Sequence, residues 1–160
     1  MKFILTLIAA SVLSTMTMDI AGGLLRSTGV TQGAPAGLVG KWIESSLKGT
    51  VFVGDIRTSR GELVPVSRFL LYHYLIGMFL TCTLYAIIAI LNINSVPWWI
   101  PALYGLATTV LPLFVMFPGM GYGLLGLNGP PEYLLARTAI LNHSAFGVGL
   151  MITFRWLLKV

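Results

Sequence analysis

The sequence is short of charge. Asp, Glu, Lys and Arg make up only 9% of its 160 residues, whereas a soluble domain carries about a quarter. An ordinary soluble globular surface is therefore excluded. Acids are scarcer than bases, five against ten. The basic excess does not indicate a nucleic-acid partner, because the basic residues cluster in one loop beside apolar segments, as expected of a cytoplasmic loop. There is one cysteine, Cys82, inside an apolar run. It excludes an intramolecular disulfide framework and a multi-cysteine metal site, and reads as a packing residue. The catalytic sequences HExxH and GxSxG, a Walker loop and paired intramembrane aspartates are all missing, so the chain does not read as an enzyme.

Apolar residues are plentiful, at 56%. They form four segments, residues 3–25, 68–91, 98–117 and 134–158. Each reaches or nearly reaches the roughly 20 residues that cross about 30 Å of hydrocarbon. Helices satisfy their own backbone where there is no water. The expected fold is all-α: a polytopic membrane protein with a four-transmembrane-helix bundle in a single domain. The start, MKFILTLIAASVLS, has the lysine and apolar core of a signal peptide. Its apolar stretch runs on to Leu25, which favours retention as a first span over cleavage near Ser11.

The connections differ. NINSVP joins the second and third segments as a tight antiparallel hairpin, with Trp98 and Trp99 at the membrane–water boundary. The first loop, residues 26–67, is the longest. Within it Leu38, Val39, Trp42, Ile43 and Leu47 recur near one helical face, opposite Lys41, Glu44, Ser45 and Lys48. This predicts a short amphipathic helix, lying on the membrane surface or packed on the bundle. Loop lysines and arginines place both longer loops in the cytoplasm: Arg26, Lys41, Lys48, Arg57, Arg60, Arg68 and Arg137 against Lys2, Arg155 and Lys159. The termini are then periplasmic.

Polar and small residues recur at three- and four-residue steps in each span. They are Ser11, Thr15, Asp19 and Gly22 or Gly23; His73, Gly77, Thr81 and Tyr85; Gly105, Thr109, Pro112, Met116 and Gly119; and Ala139, His143, Gly147 and Met151. Such stripes pack helices closely. Alternating helices also bring Asp19, His73, Asn142, His143 and Arg137 to one half of the membrane, near the helix-breaking run Pro118, Gly119, Met120 and Gly121. These residues are the expected intramembrane polar site. A charge at the bilayer centre costs about 2.5–3.5 kcal/mol, so a partner for Asp19 is expected in Arg26, Arg137 or a histidine.

The stretches MTMDIAGGLLR, LVGKWI, YHYLIG, LPLFVMFPGMGYG, AR and NHSAFGVGL resemble, in order, the bacterial integral-membrane domain-of-unknown-function family two-nine-three-eight. The resemblance covers nearly the whole chain. Phe117 stands where that family's pattern has a glutamine. The resemblance implies four membrane helices and no reaction. On residues alone, three functions compete. One is a non-enzymatic accessory or structural subunit of the bacterial inner membrane, whose partners are the lipid bilayer and other subunits or a second copy. Another is proton-coupled transport of a small solute or ion around Asp19, His73 and His143, since histidines and a buried carboxylate are side-chain types that can exchange protons near neutrality. The last is a b-type haem held by His73 and His143, with Gly77 and Gly147 leaving room, or copper held with Met116 and Met120. No cofactor is required by the first two.

Overall fold

The computed structural model describes residues 1–158; Lys159, counted above on the outer side, lies outside the described residues. The described residues form helices and loops, with no strand. Helix α1 is Lys2–Ser27, α2 is Ala36–Leu47 and α3 is Val66–Ile90. Helix α4 runs over Trp99–Gly119, and α5 is Leu135–Thr153.

Three of these, α1, α3 and α4, are long and apolar enough to cross a membrane. The chain is a membrane protein. Helix α5 has 19 residues and is not among the three, because Arg137, Asn142 and His143 dilute its first half. It continues into a wide turn, Phe154–Leu158. The third helix also differs from expectation. Pro118 does not end it. A wide turn over Pro112–Met116 shifts the register, the Phe117 N–H reaching back five residues to the Pro112 carbonyl. Such a turn lets a helix accommodate a proline that lacks its donor.

The chain divides into two compact units. The first comprises Met1–Leu24, Tyr74–Thr108 and Leu141–Val160. Its core is Leu80, Leu84, Ile88, Phe146, Leu150 and Phe154. Helices meet here over small residues. A Cβ on Gly105 would meet the Gly147 backbone, and one on Gly149 would lie 2.7 Å from the Ser14 Cα. Ser14 and Thr153 share a hydroxyl–hydroxyl bond of 3.0 Å, and the Tyr104 hydroxyl donates to the Leu80 carbonyl at 2.9 Å. Gly105 and Gly147, each in one of the small-residue stripes, are thus helix-packing positions, as close helix approach requires.

The second unit comprises Leu25–His73 and Thr109–Ile140. Its core is Leu38, Ile56, Phe117, Met120, Tyr122, Leu135 and Ala139. Helix α2 is where the amphipathic pattern predicts it, and its apolar Leu38, Val39 and Trp42 pack into this core. Of the two expected placements, packing on protein holds for this face; Leu47 at the helix end stays exposed.

Candidate functional site

The second unit builds a capped helix end from PGMG and the first loop. The last four carbonyls of an α-helix lack intrahelical partners. At the end of α4 all four are satisfied. Tyr122 N–H donates to the Phe117 carbonyl at 2.8 Å, and Gly121 N–H to the Pro118 carbonyl at 3.0 Å. Loop residues supply the rest: Val53 N–H to the Gly119 carbonyl and Ile56 N–H to the Met120 carbonyl, both at 3.0 Å. The first two bonds need a left-handed residue between them, and Gly121 takes it at φ +80°. Gly121 also faces the Gly54 carbonyl so closely that any Cβ would collide with it. Trp42 holds the same loop, its indole N–H donating to the Val51 carbonyl at 2.9 Å. The Lys41 ammonium adds bonds to the carbonyls of Ser59 at 2.6 Å and Gly61 at 3.1 Å. Glycine-rich backbone is therefore used here to seat one loop on one helix end.

Charges around this end are largely matched. Asp55 and Arg57 form a two-pronged pair, the shorter prong 2.7 Å. The guanidinium, and then the Arg57 backbone N–H, hold the Asp55 carboxyl below its usual range. Arg68 and Glu44 pair at 3.0 Å, and the Tyr72 hydroxyl also donates to Glu44 at 3.1 Å. Arg68 is the main cause of a lowered Glu44 carboxyl. Arg57 lies 5.9 Å from the Tyr122 ring centre, within cation–π range. Tyr122 is fully buried and its hydroxyl has no partner. Burial, then the neighbouring Tyr133, push it up to about 12.

The polar residues expected to converge are distributed over both units. Asp19, Asn142 and His143 belong to the first, His73 and Arg137 to the second, with Pro118, Gly119, Met120 and Gly121. Asp19 is exposed and hydrogen-bonded by the Tyr74 hydroxyl, a partner the sequence did not single out. Four-residue steps drift by about 40° each around a helix. That drift carries Asp19 off the buried stripe of Ser11 and Thr15. Asn142 lies over Gly22, where a Cβ would meet its Oδ1 at 2.9 Å. That oxygen is buried with no partner.

His143 is fixed by Thr108, whose Oγ1 is 2.7 Å from Nδ1 and 2.5 Å from the Gly105 carbonyl. A hydroxyl has one proton. Both contacts are hydrogen bonds only if Thr108 donates to Gly105 and accepts from a protonated Nδ1. Thr108, too, was missed; its only signal was its place one turn after Gly105. In the second unit, His73 stacks on Phe69, centroids 5.6 Å apart. Arg137 is exposed, and Met116 and Met120 pack in the apolar core.

The room expected for a macrocycle over Gly77 and Gly147 is filled. Thr15 occupies the first space and the Ala102 backbone the second. These glycines serve helix contact, and the residues there do not fit a haem. No group of three His, Cys, Asp or Glu side chains suited to a metal occurs among the described residues.

No curated protein and no solved structure matches the chain. Residues 8–156 match the family model described as "Protein of unknown function (DUF2938)". This match takes in every helix described above except the start of α1 and the end of the last wide turn, and the chain belongs to that family.

Proposed function

We propose that this protein is a four-span protein of the bacterial inner membrane that serves as a non-enzymatic accessory subunit. Helix α5 and its wide terminal turn form the fourth span. Together, the 19 residues of one and five of the other exceed the roughly 20 that a crossing needs. The basic residues of the second unit lie in the cytoplasm, with both termini periplasmic.

The observation that carries this reading is the outward placement of Asp19 on a membrane span. It lies seven residues, about 10 Å, before the basic end of α1 at Arg26, and it is exposed. Gly23, one turn on, has nothing within 4 Å of where a Cβ would be. The Tyr74 hydroxyl bonds this carboxylate, and its exposed side has room for a further donor from a neighbouring helix. A small residue beside it admits another helix. A transmembrane helix bearing a cationic or hydrogen-bonding side chain fits that face.

The test is a photocrosslinker at Ile20 in intact cells, with Phe79, exposed on α3, as control. The expected result is one discrete protein adduct at Ile20 that disappears in Asp19→Leu. An adduct unaffected by Asp19→Leu, or lipid adducts alone, would overturn the reading.

Proton-coupled transport has one observation in its favour: the buried, partnerless Asn142 oxygen beside the Thr108-held His143. Proteoliposomes carrying a lumenal pH dye decide it. Proton flux abolished by Asn142→Leu would support this second reading, and the absence of flux in the wild type would remove it.

A further inference from the structure

At the end of the first unit remote from Asp19, a surface groove of about 200 Å³ is lined by Trp98, Met151, Ile152, Arg155 and Trp156. A recess of about 40 Å³, lined in part by Val96, Pro101 and Phe154, shares Trp98, Met151 and Arg155 with it. The groove arises where α5 widens into Phe154–Leu158. Phe154 stays buried in the core while Arg155 and Trp156 turn outward.

We propose that this groove binds an anionic phospholipid, its phosphate on Arg155 and its first acyl segment between Trp98 and Trp156. Three observations converge. The lining is almost wholly apolar, and Arg155 is the one charged residue among those that form it. Trp98 and Trp156 are 62% and 71% exposed, and such rings favour the headgroup level. Arg155 forms no ion pair among the described residues. Among the described residues of the first unit, the only acidic side chain is Asp19. Helix α5 runs antiparallel to α1, with Asn142 over Gly22 and Thr153 beside Ser14, so Arg155 lies beyond Ser14, away from Asp19. A guanidinium at the edge of hydrocarbon, with no acidic side chain beside it among the described residues, matches a phosphodiester, whose oxygens accept its forked donors. The flanking rings match the chain that follows.

The test uses the full chain in nanodiscs of phosphatidylcholine containing brominated phosphatidylglycerol or brominated phosphatidylcholine, read by tryptophan quenching. The brominated phosphatidylglycerol should quench about fivefold more strongly per mole, the preference one cation contributes at an anionic surface. Arg155→Gln should erase the difference, Arg155→Lys should keep part of it, and Trp156→Phe should lose about half of the quenched signal, Trp98 accounting for the rest. Equal quenching by both lipids in the wild type would overturn the proposal, leaving an unselective annular lipid. So would a difference that survives Arg155→Gln, or one displaced by millimolar inorganic phosphate, which would mark a free-anion site. If Arg155→Gln does not fold, the wild-type comparison of the two lipids and the phosphate competition still decide.

Discussion

Three glycines, two at the end of α4 and one just after α1, separate backbone strain from crowding. Gly29 has φ +72° with nothing within 4 Å of a Cβ. Gly119 has no positive φ, but a Cβ there would press on the Trp42 indole nitrogen and lie 2.5 Å from the Val51 carbonyl. Gly121 has both burdens, φ +80° and the Gly54 carbonyl in the way. For Gly29→Ala only the left-handed strain applies, about 1–2 kcal/mol. Gly121→Ala adds displacement of the loop, which breaks the bonds from Val53 and Ile56 to the helix end. Each is worth about 0.5–1.5 kcal/mol net, so the total is about 2–5 kcal/mol. At about 2–4 °C per kcal/mol for a chain of this size, the apparent Tm should fall roughly 4–20 °C. Gly29→Ala should lower it by only a few degrees, and Gly119→Ala should fall between. Tryptophan fluorescence during heating of the detergent-purified variants reads the order, which suffices even if unfolding is irreversible. Equal losses for Gly29→Ala and Gly121→Ala would refute the docking of the loop on the helix end. A neutral Gly119→Ala would refute the Trp42 contact.

Tyr122→Phe should raise stability by about 1 kcal/mol, since it removes a buried hydroxyl without a partner. It should also change the alkaline limb of thermal stability. Tyr122 is pushed up to about 12 from its usual 10.0, so between those values the unfolded chain has lost its proton while the folded chain keeps it. Wild-type stability therefore falls as pH rises through that window, and the variant should be flatter there. Glu44 gives the opposite limb. Chiefly through Arg68, its carboxyl is held below the usual 4.5. Its contribution is present above that value and lost as pH falls through the lower folded value; Glu44→Gln should blunt the dependence in melts from pH 6 downward. In the first unit, Gly147→Ala places a Cβ against the Ala102 carbonyl. Overpacking of this kind costs about 1–3 kcal/mol, and a Tm equal to wild type would show that the two helices are not in backbone contact.

The sequence by itself determined what depends on local composition and period. The apolar runs place α1, α3 and α4, because length and hydropathy decide whether a segment can cross a bilayer. The spacing of Leu38, Val39 and Trp42 places α2, and the small-residue stripes identify the helix faces that approach closely. The glycines after Pro118 mark where α4 stops. Tertiary structure alone decided which atoms finish those elements. The Gly119 and Met120 carbonyls are capped by Val53 and Ile56, and His143 is fixed by Thr108. The Tyr74 hydroxyl is a partner of Asp19. These pairs lie tens of residues apart, and no periodicity within one segment encodes them. The outward turn of Asp19 has a similar origin. A four-residue repeat is not the 3.6-residue period of the helix, so a stripe continuous in the sequence winds around the helix, and only the positions of the neighbouring helices determine where it leaves the core.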